Sequence, residues 1–514
     1  MFSKVKSCAV HGVDGRMIDV EADVNDGLPV FTMVGYLSSS VRESSERVRT
    51  ALKNSGFHLP PKRITINLSP ADMRKDGSGY DLAIATAVLL SLGVTAELPM
   101  EQTLVLGELS LDGSIKAIPG VLPMVICARE EGMTSCIVPK ENVQEAALVQ
   151  GISVIGVSSL KETMEYIQGI KEYENTNVEQ PAVDTSEYLY DIDFSDVVGQ
   201  ESIKRGMEMA AAGFHNVLLT GAAGAGKSML AKRLPTILPQ MSFEESLEVT
   251  KIYSVGGMLP PEGGLIHRRP FRAPHHTISE YALIGGGRVP TPGEVSFAHY
   301  GVLFLDELPE FSKPVLEVLR QPLEDRRIRI SRVQASYEFP ADFMFVAAMN
   351  PCPCGNYPDY RRCSCTEQQI RRYQSKVSGP LLDRIDIRME VKGVKQEVLF
   401  SKQKTESSKT IRARVEQARQ MQKDRFAGTG LLFNSQLDGK NLEEYITLSE
   451  EGKRLVLQLF EEQELSVRGV HRVLKLARTI ADLAGSEEIE NAHLQEAAFY
   501  RNQDVFAKEV LYGN

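Results

Sequence analysis

Hydrophobic and polar positions alternate in two different rhythms along this chain. From residue 1 to about 170, strand-like runs such as Arg63-Ile-Thr-Ile-Asn67 and Thr103-Leu-Val-Leu-Gly107 interleave with helical stretches such as Asp81–Leu92. That pattern predicts a mixed α/β unit over residues 1–172. Leu82–Val94 is the most apolar stretch and is shorter than the ~20 residues a membrane-spanning helix needs, so it is read as a buried helix. Residues 173–190 are polar and acidic with one proline, the composition of a linker. A second α/β segment follows over 191–394. Beyond it, 395–514 turns charged and helical. A polar stretch at Lys404–Thr410 precedes amphipathic segments around Leu442–Phe460 and Ser466–Ala484, which predict a small helical domain.

Composition narrows the field. The 514 residues are 25% charged and 42% hydrophobic, as in ordinary globular protein. The net charge is −10, so no overall basic field exists for nucleic acid, and such contact would have to come from local clusters. Tryptophan is absent, which leaves Tyr, Phe and Arg for base stacking. Met1–Val10 has no apolar core of signal-peptide length, so a cytoplasmic protein without a membrane segment is expected.

The chemistry concentrates in the second segment. Asn216-Val-Leu-Leu-Thr220 reads as a strand running into Gly221-Ala222-Ala223-Gly224-Ala225-Gly226-Lys227-Ser228, followed by helix-like Met229–Leu234. This is the phosphate-binding loop G-x-x-x-x-G-K-[ST] in its strand–loop–helix context. Backbone N–H groups would surround phosphate oxygens, Lys227 would reach the β- and γ-phosphates of ATP, and Ser228 would sit on Mg²⁺. Gly301-Val-Leu-Phe-Leu305 ends in Asp306-Glu307, where Asp306 would hold Mg²⁺ through water and Glu307 would act as general base. An acidic turn after a buried strand is the alternative, and a phosphate loop upstream at this distance makes it the minor one. A third apolar strand, Phe343–Met349, ends at Asn350, placed either to orient the attacking water or simply to cap before Pro351. Within Ser378–Ile387, Arg384 is a candidate cation for a neighbouring subunit's γ-phosphate, against a local ion pair with Asp383 or Asp386. Arg468, with Arg472 in reserve, could touch phosphates from the C-terminal helices or be an ordinary surface arginine.

Together Phe194–Gln200, the phosphate loop, Phe271–Thr277, Pro292–His299, Gly301–Phe311 and Ser378–Ile387 resemble the magnesium-chelatase-like AAA+ ATPases, and the whole chain is similar to their ComM/YifB branch. The resemblance implies a homohexameric ring with nucleotide between subunits. For ComM members it implies a motor on single-stranded or branched DNA, driving branch migration beside recombination proteins. The N-terminal unit resembles the Lon protease fold through Thr103–Gly113 and Val138–Asn142. Gly79 falls at the nucleophile position, with Ser78 one residue early, and Leu122 falls where a lysine base is needed. An inactive platform for binding or assembly is therefore implied, with Ser78 and Lys75 the remaining protease alternative. The expected architecture is thus α/β: a Lon-like N-terminal domain, a P-loop AAA+ core and a helical lid.

Three further features carry expectations. Arg326-Arg327-Ile-Arg329-Ile-Ser-Arg332 alternates as a hairpin arm would, and in related ring motors a hairpin here enters the pore. Such an arm would grip DNA phosphates without reading bases, unless the arginines merely pair with Glu324 and Asp325. Gly256–Pro292 is glycine- and proline-rich and expected to face the pore; His275 and His276 within it suit a loop-ordering role better than a metal. Finally, Cys352, Cys354, Cys363 and Cys365 could form a structural zinc site, although C-x-C pairs are tighter than usual knuckles; four reduced thiols are the alternative. A chelatase motor and a protein-remodelling motor remain rivals to the DNA motor.

Overall fold

The computed structural model describes residues 1–172, 190–260, 264–332, 335–393 and 405–502. The expected linker, apart from Tyr190, lies outside the described residues.

The N-terminal strands are β1 (Phe2–His11), β2 (Asp14–Asn25), β3 (Val30–Val34), β4 (Arg63–Ser69), β5 (Thr103–Val105), the short pair β6 (Glu108–Leu109) and β7 (Ile115–Lys116), then β8 (Ser135–Pro139) and β9 (Ser153–Val157). Seven form one mixed sheet in the order β3-β4-β2-β1-β5-β8-β9. Alternation is cleanest in β2, where Ile18, Val20, Ala22 and Val24 are buried between more exposed neighbours. The apolar stretch is the helix Asp81–Ser91, of which only Leu90 is not buried. Its first residue, Asp81, pairs with Arg47 at 2.8 Å.

The second segment contributes β10 (Val217–Gly221), β11 (Phe271–Arg272), β12 (Gly285–Gly286), β13 (Thr291–Pro292), β14 (Val302–Leu305), β15 (Arg327–Ser331), β16 (Ser336–Pro340), β17 (Met344–Met349) and β18 (Ile387–Val391). Five of them make a sheet ordered β11-β14-β17-β10-β18, parallel throughout. Every residue of β10, β14 and β17 is buried, because helices and loops cover both faces. The glycine-rich insert folds into a short helix, Glu280–Ile284, and the β12–β13 ladder.

C-terminal helices span Ser408–Arg425, Gly439–Tyr445, Glu450–Glu462, Val467–Leu483 and Asn491–Arg501. The amphipathic stretch expected around Leu442–Phe460 is two helices rather than one. Leu448 bridges Ile489, and the Ser449 hydroxyl accepts from Gly452 N to start the second helix. Buried His215 joins this helical part to the sheet, lying 3.3 Å from Asp386 Oδ2 and 2.8 Å from Thr479 Oγ1. Burial alone would raise the Asp386 pKa, but Arg472 at 2.5 Å and His215 hold it well below the usual carboxylate range.

The N-terminal unit is docked on the second segment through polar as well as apolar contacts. Buried Glu145 accepts hydrogen bonds from Ser254 Oγ (2.6 Å) and Leu122 N (3.2 Å), and Gly120 N donates to Ser254 O at 2.9 Å. The His11 and Tyr337 rings stack at 4.4 Å between centroids.

Candidate nucleotide site

Three adjacent strands, β14, β17 and β10, end side by side, and each delivers part of one cluster. β10 runs into the glycine loop. Gly224 (φ +75°) and Gly226 (φ +93°) take left-handed conformations that side chains resist. Gly221 has no room for a side chain either: a Cβ there would lie 2.2 Å from Val391 O. The helix Lys227–Arg233 begins directly after Gly226, two residues earlier than the apolar pattern predicted, and among the described residues no side chain caps it. Its leading N–H groups are thereby available to an anion.

Lys227 Nζ donates to Gly221 O (2.7 Å), Ala222 O (2.8 Å) and Asn350 Oδ1 (3.0 Å). Burial lowers the Lys227 pKa, against the pull of Asp306 and Glu307. Ser228 Oγ donates to Asp306 Oδ2 at 2.5 Å, and Asp306 Oδ1 accepts from Glu307 N at 2.9 Å. Glu307 itself holds φ +53°, a strained value for a side-chain-bearing residue, and its side chain is 60% exposed. His276 Nδ1 lies 4.0 Å from it, a neighbour the sequence did not announce.

These residues fit a magnesium nucleotide. The ammonium is occupied by loop carbonyls that phosphate oxygens could replace, and the Ser228–Asp306 pair is the oxygen donor set a small hard cation prefers.

Arg384 lies elsewhere in the fold, and its partners differ from both expected ones. It is buried, donating to Pro380 O at 2.7 Å and to Glu324. Asp386 is instead taken by Arg472, and Asp383 sits 3.9 Å from Arg501. Arg468 is mostly exposed and approaches the other Glu324 oxygen at 3.8 Å. The two arginines thus meet at one carboxylate that sequence reading did not connect to them. Arg472 belongs to the Asp386 network.

The basic arm is a hairpin as expected, β15 against β16. Its charge partners are corrected: Glu338, not Glu324 or Asp325, binds Arg327 (2.8 Å) and Arg329 (2.9 Å). Register explains this, since Arg329 faces Glu338 directly. Arg326 turns back to Asp342 (3.5 Å), and Arg332 donates to Gly287 O (3.1 Å). In the N-terminal unit, Ser78 Oγ donates to Glu108 and buried Lys75 to Pro70 O, so the two do not form a nucleophile–base pair. Sulfur atoms of Cys352, Cys354, Cys363 and Cys365 lie within 4.8 Å of one another. The His275 and His276 rings lie 4.0 Å apart between centroids, tilted by 37°. Among the described residues, no helix is long and apolar enough to cross a membrane.

Comparison with known proteins finds matches along most of the chain. The family model "Magnesium chelatase, subunit ChlI" matches residues 193–399, "Subunit ChlI of Mg-chelatase" matches 20–142, and "Magnesium chelatase, subunit ChlI C-terminal" matches 405–501. An uncharacterized protein of Mycobacterium tuberculosis is 43% identical over 93% of this chain and 94% of its own length. Competence protein ComM of Haemophilus influenzae is 40% identical over 97% of each chain. The uncharacterized protein YifB of Escherichia coli is 40% identical over 98% of this chain and 97% of its own.

Proposed function

This chain belongs to the magnesium-chelatase ChlI family, with ComM and YifB among its relatives, and from that premise we propose an ATP-hydrolysing AAA+ ring motor that moves on DNA and remodels single-stranded or branched substrates. The observation that carries the ATPase part is the convergence of Lys227 on Asn350 (3.0 Å) and of Ser228 on Asp306 (2.5 Å) at neighbouring strand ends.

Magnesium-bound ATP supplies the phosphoryl group that is passed to water. Gly221–Gly226 and Lys227 bind the phosphates, and Ser228 with Asp306 holds the cation. Glu307 takes the proton of the attacking water at a carboxylate oxygen, while the Asn350 amide orients that water. Arg384 approaches the γ-phosphate of a neighbouring subunit in a homohexamer, with Arg468 beside it. In this reading residues 1–172 are an inactive Lon-like platform, 191–394 the AAA+ core and 395–514 the helical lid of a cytoplasmic protein.

The DNA part is supported by the likeness to Competence protein ComM and by the basic hairpin. A second reading, a chelatase-type or protein-remodelling motor, is favoured by Glu338, which already neutralises two hairpin arginines. Hydrolysis measured with single-stranded, duplex and four-way DNA separates them. DNA stimulation lost in Lys227→Ala and Glu307→Gln supports the DNA motor. Hydrolysis indifferent to every DNA form, but raised by unfolded protein or a chelatase partner, supports the second reading.

A further inference from the structure

Pro351–Cys365 crosses the rim of the nucleotide site without a helix or a strand. It has little apolar material to hold it: Tyr360 is exposed, and its buried residues are Pro351, Cys352 and Gly355. A segment of this length needs another source of order.

Its four cysteines supply one. Cys352 Sγ is 3.4 Å from Cys354 Sγ and 3.8 Å from Cys363 Sγ, and the latter two are 3.6 Å apart. Cys365 joins them within 4.8 Å. Sulfurs at the corners of a tetrahedron around zinc, each about 2.3 Å from the ion, stand about 3.8 Å from one another. A disulfide would need about 2.05 Å. Tyr357 N also points at Cys352 Sγ (3.4 Å), so the backbone between the two cysteine pairs already turns toward the sulfur cluster.

The loop between these cysteines touches the nucleotide site directly. Gly355 holds φ +80°, and a Cβ there would lie 3.3 Å from Ala223 N, 3.6 Å from Ala223 Cβ and 3.9 Å from Asn350 Cγ. Asn350 precedes the first cysteine by only two positions, and Gln374 Nε2 anchors the intervening Pro351 O at 2.9 Å. Fixing the four sulfurs therefore fixes the segment that packs on both the phosphate loop and Asn350.

We propose that Cys352, Cys354, Cys363 and Cys365 bind one zinc ion, and that this ion positions Asn350 and Ala223 for nucleotide. The coupling rests on the nucleotide-site reading above; the metal assignment does not. No redox step is involved: zinc binds thiolates, and each thiol that was protonated gives its proton to solvent. Tetrathiolate geometry suits zinc or iron–sulfur chemistry and disfavours harder divalent ions.

Elemental analysis of the full-length protein, purified without chelator, tests the site. About one zinc per chain is expected, released by a mercurial thiol reagent, absent from Cys352→Ser and Cys363→Ser, and retained in Cys127→Ser. Cobalt-grown protein should show the visible bands of a tetrahedral thiolate site. Wild type without metal, or with the absorbance of an iron–sulfur cluster, overturns the zinc assignment. Because the serine variants can lose their fold, Gly355→Ala provides the second arm. It should keep its zinc while binding a fluorescent ATP analogue about tenfold more weakly. Unchanged binding in Gly355→Ala and in mercurial-treated Cys127→Ser overturns the coupling. Zinc-replete wild type that binds no nucleotide overturns the nucleotide reading and the coupling with it, and leaves the metal site standing.

Discussion

Lys227 donates a 3.0 Å hydrogen bond to Asn350, so the end of one strand reads the state of the loop that follows its neighbour. That contact links the group that would grip phosphate to the group that would orient water. Asn350→Ala should lower the hydrolysis rate about 10²-fold while changing nucleotide affinity far less, because an orienting group acts mainly in the transition state. Steady-state hydrolysis beside equilibrium nucleotide binding checks this. An equal loss in both would make Asn350 a binding residue instead.

Arg384 is held by Glu324 and shares that carboxylate with Arg468. If Arg384 serves a neighbouring subunit, Arg384→Ala should cost about 10³-fold in hydrolysis. Mixing Arg384→Ala with Lys227→Ala subunits should then restore part of the activity, since some interfaces pair an intact loop with an intact arginine. Mixtures no more active than either variant alone would place Arg384 in its own subunit's site or in a purely structural role.

Glu338 neutralises Arg327 and Arg329 across the hairpin. Removing it by Glu338→Ala should tighten DNA binding and steepen its dependence on salt, by about one unit of slope for each arginine released. Arg327→Ala with Arg329→Ala should do the reverse. Fluorescence anisotropy across a salt series reads both. Identical salt slopes in all three proteins would remove the hairpin from the DNA path.

Asp386 is buried against Arg472 and His215 and keeps its charge to unusually low pH. A carboxylate whose folded-state pKa is depressed stabilises the fold fully above the ordinary carboxylate range. That contribution fades as pH falls through this range toward the lower folded value. Asp386→Asn should therefore cost about 3–5 kcal/mol at neutral pH, with the gap to wild type narrowing in acid. Denaturant unfolding at pH 7 and below pH 4 gives the comparison. A constant gap would mean that the loss is one of shape rather than charge.

The core strands and the phosphate loop were legible because both follow from local rules. β14 and β17 are unbroken apolar runs and β10 opens on one, Val217–Leu219, and a glycine loop after such a run has few structural uses. The partner of Arg384 was not legible. Glu324 lies 60 positions away on a different element, and nearer carboxylates at Asp383 and Asp386 compete for attention. Glu338 was within reach, since pairing Ser331 with Ser336 sets Arg329 opposite it, but composition alone suggested the acidic residues just before the arm. The His215–Asp386–Thr479 contact joins three distant segments and leaves no periodic trace.

Glu145 joins the N-terminal unit to Ser254, a residue near the end of the helix Phe243–Val255 in the second segment. Together with the Gly120 contact to the same serine, this makes a riveted joint rather than a tether. If the chain works in the proposed ring, the first 172 residues would move with the body of their own subunit. They would add leverage at the rim instead of sweeping freely over it, so a partner held there would feel each stroke at full amplitude.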